Sequence, residues 1–418
     1  MSNSQPAPSQ APPPFEPSIE KLSELSNSIQ ASLAQYASAS TPQEKASSLK
    51  AIQALSTRLS TATSPIQQRF MDLNSRPYLN VTIRLALSLS LFEALPPSGS
   101  ITLTALTTLL PTCTPEFLFR LLRVLSAFEI LTITYPPPSH HLHISHTPLS
   151  LFLLSPAAKA SFLNHFEILL PAHLASIPGY FHKHGFQSPV DPKNVPFTFA
   201  HGTVDEDFFD LLVKDSEKLA LFNDAMTIMA VLGLKPLGGL YPFDRLVENE
   251  EGVALVDVGG GKGQMLRVIG EAWPGMRGRL CLQDLQVVLD GGVVVDSEVR
   301  LVAYDFFKEV QPIKGSNYFF KSIFHDWPDN ACLKILSNLA PAMRGYPHSK
   351  LLICELVLPD QHPEPTKVIR DITMLVIGGS ERNLTQWDAL LKKAGFKILN
   401  VYGAGGENSS IIEAVLDE

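Results

Sequence analysis

Residues 254–263 read Ala-Leu-Val-Asp-Val-Gly-Gly-Gly-Lys-Gly. The apolar residues flanking Asp257 read as a buried strand, and the glycines at 259, 260, 261 and 263 then open a helix expected over Gln264 to Ala272. Glycine at such a junction turns with φ > 0 and lets the backbone approach a ligand with no Cβ in the way. A small molecule is therefore expected at this turn. A dinucleotide fingerprint starting at Gly259 needs glycine at its sixth position, where Gln264 stands. A phosphate-binding loop needs Ser or Thr after Gly261-Lys262, where Gly263 stands. Without either signature, the loop suits a nucleoside ligand that carries no pyrophosphate.

Outward from the loop, strands and helices alternate. Strands are expected at 253–258, 279–283, 300–304, 317–324 and 350–358, with helices at 264–272, 330–343 and 384–394 and two terminal strands at 396–403 and 409–416. This is an α/β pattern, a doubly wound Rossmann-like sheet whose ligand lies at the carboxyl ends of the strands. Asp284 closes the second strand, where a carboxylate can accept from both ribose hydroxyls. Asp305 closes the third and is followed by Phe306 and Phe307, an acceptor beside aromatic surface suited to an adenine. Either aspartate alone also reads as a helix N-cap. Gly, Asp and Asp on three consecutive strand ends point together to the ligand.

Upstream, residues 1–17 are rich in Pro, Ser, Ala and Gln and read as a disordered tail. Residues 18–155 form a helical and winged-helix unit. Its first helix carries Leu22, Leu25, Ile29, Leu33 and Tyr36 on one narrow stripe, and a second is expected from Gln43 to Ser60. Such stripes pack either on another subunit or within the chain. A helix over Pro77–Ala94, a strand at 100–104, helices at 105–110 and 115–128 and a hairpin at 130–144 give the winged-helix order. The recognition helix offers only Arg120 and Arg123, which favours a structural or dimerisation role over DNA binding. His140, His141, His143 and His146 lie in the wing and read as exposed histidines, not as a metal cluster. Residues 156–245 read as a helical linker and substrate lid with Pro and Gly breaks around 171–202, and 246–418 as the catalytic domain.

A net charge of −8 over 418 residues argues against nucleic acid or an anionic membrane as the partner. Cys113, Cys281, Cys332 and Cys354 are scattered, with no CxxC pair, and read as buried thiols in a reducing compartment. The amino terminus lacks a secretory pattern, and Val81–Leu95 is too short and too charged to span a bilayer, so a cytoplasmic location is expected.

Val256-Asp-Val-Gly-Gly-Gly-Lys-Gly263, Asp284-Leu285, Asp305-Phe306 and Lys321-Ser-Ile-Phe-His-Asp-Trp-Pro-Asp329 together resemble the S-adenosylmethionine-dependent O-methyltransferases of the plant caffeate and flavonoid type. The Pro-rich amino terminus fits the fungal natural-product branch, and the resemblance runs from about residue 75 to the end. It implies a methyltransferase sheet behind an all-α, winged-helix dimerisation domain, a homodimer, S-adenosylmethionine as cofactor and no metal. Cofactor residues on this reading are Asp257, Gly259, Gly261, Gly263, Asp284, Leu285, Asp305, Phe306 and Lys321.

A phenol with a pKa near ~10 needs a base close to ~6.5 to lose its proton at neutral pH. His325, expected at the end of the fourth strand, is placed for this. Glu355, costly inside an apolar strand unless paired, and Glu381 match the acids that orient such a histidine. Asp326 and Asp329 read as caps and braces of the following helix. Phe222, Met226, Met374 and Ile377, with Phe199 and His201 behind them, match the substrate wall and imply a flat aromatic or polyketide acceptor. Two alternatives stand beside this reading: a methyltransferase-like pericyclase or dehydrative cyclase that binds the cofactor without transferring methyl, and a ligand-sensing winged-helix regulator, which the net charge and the complete base constellation disfavour. The intact His325, Glu355 and Glu381 set favours methylation.

Overall fold

The computed structural model describes residues 17–137, 141–237, 240–247, 252–361, 364–403 and 409–417, with the side chains of 172–175 and 227–237 left aside. The expected tail, apart from its last residue, and His140 lie outside the described residues. The chain divides into two compact units, Met1–Ser150 and Leu151–Glu418.

In the first unit, helices Ile19–Ser38 and Pro42–Thr63 start at side-chain caps. Ser18 accepts from the Lys21 N–H, and Thr41 and Glu44 form a reciprocal capping box. The third helix runs Ile66–Ser88, so the expected start at Pro77 is wrong. Proline in a helix interior removes one donor without forcing an end, and the break falls at Pro65, which occupies the cap. Pro115 opens helix Pro115–Ala127 behind a Thr114 cap. Strands Ile101–Thr102, Leu131–Thr134 and His143–His146 form an antiparallel sheet with the last strand in the centre. Two of the wing histidines are bound by serines, His143 by Ser100 at 3.0 Å and His146 by Ser150 at 2.9 Å.

The second unit begins with a helical run from Pro156 to His184, in which a π-helical turn, Asn164–Leu169, joins two α-helices. Of the breaks expected around 171–202, those at Gly185 and Gly202 are present, whereas Pro171 and Pro178 lie within the helix that ends at His184. Pro171 falls just after the π turn, where the hydrogen-bond register changes and its missing N–H costs little.

Seven strands make the main sheet: β1 (Leu255–Val258), β2 (Leu280–Asp284), β3 (Arg300–Ala303), β4 (Asn317–Lys321), β5 (Leu351–Glu355), β6 (Phe396–Tyr402) and β7 (Ser410–Leu416). Their order is β6-β7-β5-β4-β1-β2-β3, and β7 alone runs antiparallel to its neighbours. Side chains alternate between two buried layers, as a pleated strand requires. Val256, Val258, Tyr318 and Phe320 meet Ile335, Leu339, Trp387 and Leu390 on one face. Leu255, Leu282 and Phe319 meet Met265, Leu266, Ile269 and Phe243 on the other. All four cysteines are free and buried.

Two boundaries differ from expectation. β4 stops at Lys321 and β5 at Glu355, while Val357–Leu358 leaves the sheet to pair with Arg382–Asn383. A helix over Pro365–Leu375, absent from the sequence reading, carries the β-branched Val368, Ile369, Ile372 and Thr373, which depress helix propensity.

Candidate active site

The glycine loop is shaped by close approach. A Cβ on Gly260 would fall 2.5 Å from Asp257 Oδ2 and from a Leu282 methyl, whereas Gly261, at φ +59°, would point its Cβ into open space. One glycine lets the loop pack on its own strand, and the next leaves a cradle. The Gly261 N–H donates to Asp284 Oδ2 at 2.8 Å and the Leu285 N–H to Oδ1 at 2.7 Å, so Asp284 binds the first turn to the end of β2. Burial raises the Asp284 carboxyl and these two hydrogen bonds oppose the rise. Asp257 is buried beneath the loop, its Oδ2 without a hydrogen-bond partner among the described residues. Burial pushes it up to about 7, against the nearby Lys321 charge.

Phe306 lies against this loop, 3.6 Å from where a Gly259 Cβ would stand. Asp305 stands two residues past the end of β3, not on it. Its Oδ1 accepts from the Phe307 and Lys308 N–H groups and its Oδ2 pairs with Lys308 at 2.8 Å, the local turn-capping role that the sequence left open.

His325 is not the last residue of a strand either. Ser322 adopts a left-handed φ of +54°, turning the chain out of β4 into a 3-10 turn, Phe324–Asp326. Glu355, at the tip of β5, holds that turn: its Oε1 accepts from the Ile323 N–H at 2.9 Å and the Phe324 N–H at 3.0 Å. The buried acid that was costly in an apolar strand is thus bonded to backbone, and its Oε2 lies 3.7 Å from His325 Nδ1.

Glu381 Oε1 lies 2.9 Å from His325 Nδ1. An ionised carboxylate only accepts, so Nδ1 carries the proton and the neutral ring keeps its lone pair on Nε2. Asp326 turns its Oδ1 to within 3.4 Å of that Nε2. It faces the imidazole and does not cap the following helix, because Pro328 takes the cap position. Asp329 is the brace the sequence suggested, bound by Arg382 at 2.8 Å.

Residues 378–382 grip the histidine turn. The Ser380 N–H donates to the His325 carbonyl at 2.9 Å. Arg382 donates to the Phe324 carbonyl at 3.0 Å and the Trp327 carbonyl at 2.9 Å. A Cβ on Gly379 would lie 1.9 Å from the His325 carbonyl oxygen. Arg370 Nε reaches Glu381 Oε1 at 2.9 Å, and Asp371 Oδ1 accepts the Glu381 N–H at 2.8 Å. Sequence reading missed Gly379, Arg370, Asp371 and Arg382; only the run Gly-Gly-Ser-Glu-Arg hinted at a tight approach.

Charge follows the geometry. Burial would lower the His325 pKa, but Glu355, Asp326 and Glu381 outweigh it and bring it up to about 9. Burial raises Asp326 to about 6 and also raises Glu355. Burial pushes Glu381 up as well, yet the His325, Arg370 and Arg382 charges leave it below the usual range.

Beside this cluster, Phe222 and Met374 pack on Phe197, Phe208, Val376 and Ile377 in one apolar group. Met226 stands apart from it, 39% exposed. Phe199 lies edge-on to Tyr180, and His201 stacks on Phe197. Phe209 connects the apolar group to Trp327 at 5.4 Å, and Trp327 meets Phe307 at 4.6 Å.

In solved structures the chain is similar to OxaC in complex with SAH and oxaline, with a TM-score of 0.81 and 25% identity over 94% of this chain and 98% of that one. A pericyclic reaction enzyme shares the fold at a TM-score of 0.80 and 24% identity, over 96% of this chain and all of that one. Among curated proteins, the O-methyltransferase opaF of Aspergillus ustus is 32% identical over 346 residues, 80% of this chain and 79% of its own. Residues 185–397, just over half the chain, match the O-methyltransferase domain family and contain the glycine loop, the His325 turn and the Glu381 segment. With a family model matching over half of its length and a relative 32% identical over 80% of it, this chain belongs to the O-methyltransferase family.

Proposed function

We propose that the protein transfers a methyl group from S-adenosylmethionine to a phenolic or enolic hydroxyl of a small aromatic or polyketide compound, with His325 as general base. The observation that carries this reading is the Nδ1–Glu381 bond, which commits one ring nitrogen and leaves Nε2 to accept a proton. The residues at the strand ends fit the cofactor. Asp284 is already tied to the loop backbone beside the open Gly261 cradle, Asp257 offers an unpartnered buried oxygen, and Phe306 gives an aromatic surface. Gly259, Gly263, Leu285, Lys321 and Asp305 would complete that lining.

When bound, the cofactor supplies an electrophilic methyl on a sulfonium. His325 Nε2 would take the acceptor's hydroxyl proton, and Glu381, already bonded to Nδ1, would stabilise the resulting imidazolium. Phe222, Met374 and Ile377 hold the acceptor's flat face, with Met226 at the rim. A second reading, cyclisation or dehydration without methyl transfer, is favoured by one observation. Three carboxylates face the His325 ring and favour its protonated form, which is a competent acid.

Incubation with methyl-labelled cofactor and a panel of phenolic and enolic aromatics separates the two. Label should appear in product, and His325→Ala should cut the rate by about two orders of magnitude or more while cofactor binding persists. Unlabelled cyclised product, or label transfer that survives His325→Ala, would overturn the base assignment.

The amino-terminal unit serves dimerisation on this reading. Helix Ile66–Ser88 leaves Ile66, Phe70, Leu73 and Tyr78 exposed by 51%, 62%, 69% and 73%, spaced along one side like a packing seam.

A further inference from the structure

Three carboxylates surround one imidazole, and a cation must balance them if that imidazole is to give up a proton. The groups facing His325 come from every neighbouring element: Asp326 from its own turn, Glu355 from β5, Glu381 and Arg382 from the 378–383 segment, Arg370 and Asp371 from helix Pro365–Leu375. Helix Asp329–Met343 adds Asp329, paired with Arg382, and the neutral thiol of Cys332, which points at the Phe324 and Trp327 carbonyls. Arg382 is thereby committed to Asp329 and to backbone. Arg370 is the guanidinium that remains for the cluster. Its side chain is 32% exposed, while the Glu381 carboxylate it holds is wholly buried.

We propose that Arg370 is a positioning residue for methyl transfer: by gripping the same Glu381 oxygen that accepts from His325, it orients the imidazole and eases release of its proton. The inference rests on the reading of His325 as base. Arg370 and Asp371, adjacent on one helical turn, take the side chain and the N–H of Glu381 respectively, so this glutamate is held at both ends. Without the guanidinium, the protonated ring and Arg382, already paired with Asp329, would be left to offset Asp326, Glu355 and Glu381. The imidazole would then hold its proton more tightly and be a poorer base. With it, the cluster keeps one positive charge whatever the state of His325.

The test follows the His325 Cε1–H resonance by NMR through a pH titration of the full-length protein with S-adenosylhomocysteine added, assigned by its absence in His325→Gln. Arg370→Met should raise the titration midpoint by about one pH unit, and Arg370→Lys should restore most of it. In the label assay, Arg370→Met should lower kcat at neutral pH about tenfold or more and leave KM for S-adenosylmethionine within about twofold. An unmoved midpoint in folded Arg370→Met overturns the proposal. Arg370→Gln, read the same way, serves if the methionine variant does not fold. Because the resonance needs no acceptor and no turnover, absence of label transfer from the wild type would refute methylation separately from this result.

Discussion

Burial would strip the proton from the His325 imidazole; Glu355, Asp326 and Glu381 return it, and Arg370 holds the Glu381 carboxylate from 2.9 Å. The balance depends on distances of about a hydrogen bond, so the residue that sets those distances matters as much as the acids. That residue is Gly379. A Cβ there would sit 1.9 Å from the backbone oxygen of His325, against an atom that cannot swing aside as a flexible side chain would. Gly379→Ala must therefore push the 378–382 segment off the histidine turn. It should lower the methyl-transfer rate by about tenfold or more and stability by about 1–3 kcal/mol. Gly275→Ala, where a Cβ meets nothing within 4 Å and φ is not positive, is the matched control and should change neither. Activity assays and thermal melts of the two variants decide the matter; wild-type kcat in Gly379→Ala would show that the close approach is not needed.

At the scale of elements, the strands of the sheet were legible because each carries a short apolar run closed by Gly, Asp, Lys or Glu. Glu355 was legible for the same reason: a lone acid in Leu-Leu-Ile-Cys-Glu has to be paired. Helix Pro365–Leu375 was not, since its β-branched residues resemble strand and its start follows a Pro-rich loop. The partners it supplies, Arg370 and Asp371, were hidden with it. Helix Ile66–Ser88 was half legible. Its inner face, Ile83, Ala86 and Leu87, is buried, but its first half is polar enough to pass for a linker. That first half carries Phe70 and Leu73 exposed by 62% and 69%, a large apolar load for a surface helix. On the dimer reading proposed above, a second copy of the chain would cover this seam. Light scattering after size exclusion should give a dimer for the wild type and a monomer for the Phe70→Glu, Leu73→Glu double variant, whose carboxylates would be buried unpaired at the seam. A monomeric wild type at micromolar concentration would remove the assignment.

For the whole molecule, the site's charges make folding a proton-uptake reaction. In the folded chain His325 is raised from 6.5 to about 9, Asp257 from 3.8 to about 7 and Asp326 from 3.8 to about 6, and Glu355 and Asp284 move the same way. A group whose folded pKa is raised contributes stability that is fully present below its unfolded pKa and is lost as pH climbs through the folded value. The carboxyls therefore lose their contribution between about pH 4 and 7, and His325 loses its own between 6.5 and about 9. Glu381, lowered instead, acts in the opposite sense only at acidic pH and does not enter this window. Urea unfolding of the ligand-free protein should show lower stability at pH 9 than at pH 6, with His325 accounting for on the order of 2–3 kcal/mol of the difference. His325→Gln should flatten the curve between pH 6.5 and 9 and leave its fall below pH 6.5 in place. Stability that rises from pH 6 to 9 in the wild type would mean that His325 is neutral in the folded chain and that the three carboxylates do not act on it as the geometry requires.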